Sequence, residues 1–335
     1  MASSKGPTTI YDVAERAGVS SATVSRMLNS PAKVSPETRD RILAAIDELG
    51  FVPKAEARAR ALQRTRRIGV ITPFFTAPAF VQRLRGIAGA LSKVSYELVI
   101  YTVESAEQLS SYFGTIPFTG NLDGLILVSL PVSDRHAERL QSFNIPTVTI
   151  EYSHPSLNCI VIDDYEGGRL AAEHLIRKGH RRVAFMAKPD VPEYTVQSAT
   201  QRFTGFRDTL AAAGIELPDE YVRLVPDEQS SIHQATAALL KLPTPPTALF
   251  GGLEVYALGA LKAARQLGIR VPEQLAVLGF DDLDLAEYAD LSTIRQHLDE
   301  SGRLAVEILL GQISDPSRPV QHVRLPLKLI ERQTT

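Results

Sequence analysis

From Ile68 onward the chain alternates short β-branched runs with stretches of amphipathic helix, and this alternation restricts the fold more than any other feature. Strand-length runs are expected at Ile68–Thr72, Glu97–Tyr101, Gly124–Ser129, Thr147–Ile150, Cys159–Ile162, Val183–Met186, Ala248–Gly251 and Ala276–Gly279. Between them, Phe80–Leu91 sets Val81, Leu84, Ile87, Ala88 and Leu91 on one helical face, and Leu170–Arg177 is a second such helix. Strands separated by helices are joined by crossovers, which makes their sheets parallel and covered on both faces. The expected class is therefore α/β and doubly wound. About 260 residues exceed one such sheet, so two lobes are expected.

The residues before Ile68 read differently. Thr9-Ile10-Tyr11-Asp12 opens a helix, with Thr9 as N-cap and an acid three residues on. Gly18 supplies the left-handed residue that ends it. Ser20 caps a second helix through Leu28 after a turn of only three or four residues, which is the helix-turn-helix pattern. Ser35-Pro36-Glu37 starts a third, with proline where a missing N–H costs nothing, and Gly50 stops it. Val13, Val24, Leu28, Ile42 and Ile46 give the three helices a small shared core. Charge divides the same way. Residues 1–67 hold 12 Lys/Arg against 7 Asp/Glu, although the whole chain carries a formal net charge of −2. A basic segment on an acidic body suits a polyanion partner for the head and another task for the rest.

The spelling is more specific than the pattern. TIYDVAERAGVSSATVSRMLN, Thr9 to Asn29, closely resembles the DNA-binding signature of the LacI/GalR (lactose-repressor/galactose-repressor) family. Val34-Ser35-Pro36-Glu37-Thr38-Arg39 and Leu49-Gly50-Phe51-Val52-Pro53 continue the match without a gap. The resemblance implies a transcriptional regulator whose second helix lies in the major groove of double-stranded operator DNA. Ser21, Ala22 and Arg26 then match base-reading positions, and arginine suits bidentate bonding to guanine. Thr9, Ser20, Ser25 and Asn29 match phosphate contacts, which position without specifying. The family's hinge helix would cover about Ala55 to Leu62 and enter the minor groove beside its dimer mate. Where the family places a wedging leucine, seven residues past Pro53, this chain has Arg60. Arg58 and Arg60 are thus candidate minor-groove contacts, the latter electrostatic rather than wedging. By its charge alone the segment also suits a solvated tether.

The resemblance extends through Thr335 and implies a periplasmic-binding-protein-like core whose chain crosses between lobes near residues 162, 292 and 322. The expected organisation is a helix-turn-helix domain at 1–53, a hinge at 54–67 and an effector-binding, dimerising core at 68–335. Its first lobe takes about 68–162 and 293–322, and its second about 163–292 and 323–335. Ligands of such sheets sit beyond the carboxyl ends of the strands. Phe74, Phe75, Ser129, Glu151, Arg202, Glu254 and Asp281 stand there and match the family's effector positions. Aromatic faces with carboxylates and an arginine suit a polyhydroxylated ring. Plainer readings stand beside several of these: Phe74-Phe75 as core, Arg202 as a surface helix residue and Asp281-Asp282 as a turn cap; Asp163-Asp164 reads as an N-cap at a crossing rather than a ligand site. Leu253-Glu254 replaces the family's usual Asn-Asp, which leaves open a different sugar, a sugar derivative, or a cationic or nucleoside-like effector.

Rival functions lack their motifs. There is no G-x-G-x-x-G after a strand, no phosphate-binding P-loop and no G-x-S-x-G elbow, so an enzyme is not expected. The seven histidines have no metal-ligand spacing, and neither metal nor cofactor is expected. The single Cys159 rules out an intramolecular disulfide, and MASSKGPTTI lacks the apolar run of an export signal. A cytoplasmic, non-membrane protein is expected, which argues against an exported sugar-transport receptor. No leucine heptads follow Ile330, so a homodimer is expected rather than a tetramer.

Overall fold

The computed structural model describes residues 8–29, 31–51, 65–189 and 192–335. The expected hinge helix, with Arg58 and Arg60, lies outside the described residues.

The head forms three helices, α1 (Ile10–Ala17), α2 (Ser21–Asn29) and α3 (Pro36–Leu49). Thr9 caps α1 in a capping box with Asp12, Ser35 caps α3 by accepting from the Thr38 amide, and Gly18 and Gly50 end these two helices in the left-handed region. Val13, Val24, Met27, Ile42 and Ile46 are buried together. An exposed Arg16–Glu48 ion pair joins α1 to α3.

The body holds two six-stranded sheets. The first contains β1 (Arg67–Thr72), β2 (Glu97–Thr102), β3 (Gly124–Val128), β4 (Thr147–Ile150), β5 (Asn158–Val161) and β11 (His322–Arg324), in the order β2-β1-β3-β4-β5-β11. All its pairings are parallel. The second contains β6 (Val183–Ala187), β7 (Val222–Leu224), β8 (Ala248–Gly251), β9 (Ala276–Asp281), β10 (Ser292–Arg295) and β12 (Lys328–Ile330). Its order, β7-β6-β8-β9-β10-β12, repeats the first, except that β12 runs antiparallel to β10. The chain therefore leaves the first sheet after β5, returns after β10, and leaves again after β11. The second and third crossings fall a few residues beyond 292 and 322, because β10 completes the second sheet and β11 the first.

Helices cover both faces. In the first lobe α4 (Pro78–Ser92) packs against α12 (Leu298–Ser314), and α5 (Ala106–Thr119) and α6 (Asp134–Ser142) cover the other side. In the second, α7 (Asp164–Arg177) packs against α8 (Ser198–Ala212), opposite α9 (Gln229–Leu240) and α10 (Glu254–Gln266), and the short α11 (Asp284–Tyr288) follows β9. One expected face is rotated: on α4 the buried line is Arg83, Ile87 and Leu91, while Val81 and Ala88 face outward. An arginine occupies the inward position that hydrophobic periodicity assigns to apolar residues. The head rests on the first lobe. Phe118 of α5 packs on the head's core, and Arg139 of α6 pairs with Asp47 of α3. Among the described residues no helix is long and apolar enough to cross a membrane.

Candidate functional site

In the head, the second helix is held so that one side stays open. Ala22 and Arg26, one turn apart, are exposed, while Ser21 and Ser25 are half-buried. The Thr9 and Ser20 hydroxyls do local work: Thr9 accepts from the Asp12 amide, and Ser20 accepts from the Thr23 amide at 3.1 Å. Asn29 closes the helix. The geometry suits a helix laid into a groove by its exposed face.

In the body, the two sheets bring their carboxyl ends together. Both carry a switch point, between β1 and β3 and between β6 and β8, where crossovers diverge and leave a crevice. Backbone strain concentrates there. Phe74, Ser129, Glu151 and Asp281 follow or end strands with φ of 49°, 54°, 69° and 121°. Such conformations cost about 1–3 kcal/mol each in a non-glycine residue, and they gather at functional sites. Four of the seven sequence-derived effector residues occupy them.

The side chains form a buried polar network. On the first lobe, the Glu151 carboxylate accepts from the Ser129 hydroxyl and from Arg83 Nη2 at 2.6 Å, while Arg83 Nε donates to Ser301 Oγ at 3.1 Å. On the second, Arg202 Nε donates to Asp164 Oδ1 at 2.8 Å and Nη1 to the Gly252 carbonyl at 3.0 Å. Its guanidinium lies 3.7 Å over the Phe280 ring and 4.0 Å from Asp281. Gln296 donates to Asp281 at 2.5 Å. Contacts span the lobes: the Val196 amide donates to the Ser129 carbonyl at 3.0 Å, Lys188 Nζ lies 5.5 Å from the Phe74 ring centroid, and exposed Arg85 of α4 pairs with Asp284 beyond β9 at 2.5 Å.

Burial works against every charge here. It opposes ionisation of Glu151, yet Arg83, the Ser129 hydroxyl and Arg202 together hold that carboxyl below its ordinary range. Burial raises Asp164 against the pull of Arg202, and pushes Asp281 up to about 6 against Arg202 and Gln296. The influence of Arg202 on Glu151 is an electrostatic link between lobes.

The structure settles several of the alternative readings. Phe74 and Phe75 are not core: they are 36% and 40% exposed at the crevice rim. Arg202 is not a surface residue, being 2% exposed. Asp163 is an N-cap, but its neighbour Asp164 belongs to the network. Glu254 stands apart from the others. It is fully buried, and its Oε2 accepts from the Asp282 amide at 2.6 Å, the Leu283 amide at 3.3 Å and Thr293 Oγ1 at 3.2 Å. Burial and the nearby Asp281 push its carboxyl up to about 9, so it is protonated at neutral pH. Glu254 braces the loop that carries Asp281 rather than facing the crevice. Sequence reasoning missed Arg83, Gln296 and Ser301, and read Asp164, together with Asp163, as an N-cap. Only Arg83 left a trace, as a charge on the inward line of a helix.

The model for bacterial regulatory proteins of the lacI family matches residues 9–54, and that for a periplasmic binding protein-like domain matches 172–335. Over 329 residues the chain is 33% identical to the ribose operon repressor of Escherichia coli (strain K12), spanning 97% of this chain and 98% of the repressor. The chain belongs to the LacI family. A LacI-family transcriptional regulator from Silicibacter pomeroyi superposes with a TM-score of 0.73 at 29% identity, over 98% of this chain and 99% of that one. The lac repressor dimer bound to operator and the anti-inducer ONPF gives 0.69 at 29% identity, over the same shares. As a LacI-family member the chain is a ligand-responsive DNA-binding regulator and not an enzyme. The exposed side of α2 and the strained polar crevice are the two candidate surfaces for these tasks.

Proposed function

We propose that this protein is a homodimeric repressor of the cytoplasm that binds a palindromic operator and answers to a sugar-like effector held between its lobes. The head at 1–53 reads DNA, 54–67 is the hinge, and 68–335 senses and dimerises. Ala22 and Arg26, with Ser21 beside them, meet base edges; Thr9, Ser20, Ser25 and Asn29 meet phosphates. Arg58 and Arg60 enter the minor groove, so Arg60→Leu should change the bend angle of bound DNA. Two heads on a dimer require half-sites about one helical turn apart or a multiple of it.

The observation that carries the effector reading is the strained cluster of Phe74, Ser129, Glu151 and Asp281 around Arg202 at the facing strand ends. Within each lobe its side chains bond one another, and Arg202 acts electrostatically on Glu151 across the crevice. An effector exchanges those bonds for its own, and so binds one lobe arrangement better than another. The ribose operon repressor's name supports a sugar. Binding of the full-length protein to its own upstream DNA, titrated with salt and then with candidate sugars, tests the whole. Sequence-specific retention that a sugar modulates is expected. Equal affinity for random duplex at every salt concentration would defeat the reading.

A further inference from the structure

The two lobes hold their crevice arginines in matching frames. Arg202-Phe203-Thr204-Gly205 on α8 has a counterpart in Arg83-Leu84-Arg85-Gly86 on α4. In each, the glycine lies under the start of the helix that follows a lobe crossing. A Cβ on Gly205 would come 2.0 Å from the Tyr165 carbonyl oxygen of α7, and one on Gly86 would come 2.0 Å from that of Asp299 in α12. The contact is reciprocal. A Cβ on Gly168 of α7 would come 1.9 Å from the Arg202 carbonyl oxygen, and one on Gly302 of α12 would come 2.3 Å from that of Arg83. Each arginine bonds the first turn of the helix packed on it, Asp164 for Arg202 and Ser301 for Arg83. Both arginines are 2% exposed.

The frames differ in one respect. Arg202 uses Nη1 on the Gly252 carbonyl, whereas Arg83 Nη1 is buried with no hydrogen-bond partner among the described residues. Gln296 Oε1, on the other side of the network, is likewise buried and unpartnered. A guanidinium nitrogen only donates and an amide oxygen only accepts, so Arg83 lacks an acceptor and Gln296 a donor; Glu254 Oε1, beneath the loop that carries Asp281, is a third buried atom without a partner among the described residues. Leaving buried polar groups unmade is unfavourable, and each such case calls for a partner.

We propose that Arg83 is a second effector arginine, donating through Nη1 to a hydroxyl oxygen of a neutral polyhydroxylated ligand. A hydroxyl supplies the missing acceptor to Arg83 and, elsewhere on the same ligand, the missing donor to Gln296. A phosphate supplies acceptors only. Arg83 is already neutralised by Glu151 at 2.6 Å, and Arg202 sits between Asp164 and Asp281, so no net positive charge remains for an anion. The inference rests on the proposed effector crevice.

Thermal-shift measurements and calorimetry on the full chain test it, with D-ribose, D-glucose, D-galactose, ribose 5-phosphate and glucose 6-phosphate as probes. A neutral sugar should bind, and Arg83→Lys should weaken it at least tenfold. Because Arg83→Lys strands part of the Glu151 contact, the charge-balanced pair Arg83→Met with Glu151→Gln is measured beside it and should lose at least as much. Deoxy analogues separate direct contact from collapse: one lacking the contacted hydroxyl should bind wild type and Arg83→Lys alike. Arg202→Lys separates the two proposals. If it weakens binding while both Arg83 variants stay within twofold of wild type, the Arg83 inference fails and the crevice stands. If it also changes nothing, the crevice reading falls and takes the inference with it. Tighter binding of a sugar phosphate, or no binding by any neutral sugar, overturns the inference outright.

Discussion

Replacing Glu254 by glutamine should stabilise the protein, and by an amount that grows with pH. In the folded state the carboxyl is pushed up to about 9, first by burial and then by Asp281, from an ordinary value of 4.5. Below about pH 4.5 both folded and unfolded chains carry the proton, and the group costs nothing. Above it the unfolded chain ionises while the folded chain keeps its proton, so stability falls as pH rises, until about 9. The slope is about 1.4 kcal/mol per pH unit, or roughly 4 kcal/mol by pH 7.5 as an upper bound. Glutamine needs no proton, and its amide oxygen can still accept from the Asp282 and Leu283 amides that hold the loop. Urea unfolding of wild type and Glu254→Gln at half-unit steps from pH 5 to 8.5 measures the difference. Asp281, raised to about 6, titrates in both proteins and largely cancels. The stability gap should widen across the range. Parallel pH profiles would refute the argument, because they would mean Glu254 ionises in the folded protein much as it does in the unfolded one.

Other consequences are simpler. Arg26→Ala should cost about 1–3 kcal/mol of operator affinity and relax discrimination at one base pair, as read by competition binding against single-base operator variants. Gly205→Ala must push α8 off the Tyr165 carbonyl, so it should destabilise the second lobe by about 1–3 kcal/mol in denaturant unfolding and weaken effector binding by shifting Arg202. Arg139→Glu should loosen the head from the first lobe, making the segment between them easier for a protease to cut. Adding Asp47→Arg should restore protection if that ion pair holds the head.

How much of this was legible in the sequence follows from where periodicity carries information. Thr9, Gly18, Ser35-Pro36 and Gly50 fixed the head because capping is local chemistry, decided within four residues. Thr147–Ile150 and Ala248–Gly251 were located to the residue, since central parallel strands are buried on both faces and read as unbroken apolar runs. Four strands went unread. Val222–Leu224, His322–Arg324 and Lys328–Ile330 are three-residue edges, partly exposed, without such a run, and Ser292–Arg295 is central and mostly buried but is spelled Ser-Thr-Ile-Arg, with a single apolar residue. Of the candidate site, the residues just past strand ends stood out, from topology together with the family resemblance. Arg83, Asp164, Gln296 and Ser301 did not. Each reaches the crevice from a helix or a crossing segment, through contacts with residues distant in sequence. Glu254 stands in the right place along the chain, but its side chain turns beneath the loop, a distinction no spacing records.

The misread helix face also bears on how the protein works. An apolar residue at position 83 would have closed the line of Ile87 and Leu91 into an ordinary core contact between α4 and α12. Arginine there places a charge in the first lobe's core and forces Glu151 and Ser301 to answer it. Glu151 is in turn held ionised partly by Arg202 of the other lobe, after burial's opposing push. Moving the lobes apart would weaken that support and raise the cost of keeping Glu151 charged beside Arg83. The crevice is therefore electrostatically sensitive to the angle between lobes, and an effector that replaces Arg202's influence with its own hydroxyls can alter the angle at which the charges balance. The head is seated on that same first lobe, through Asp47 and Phe118.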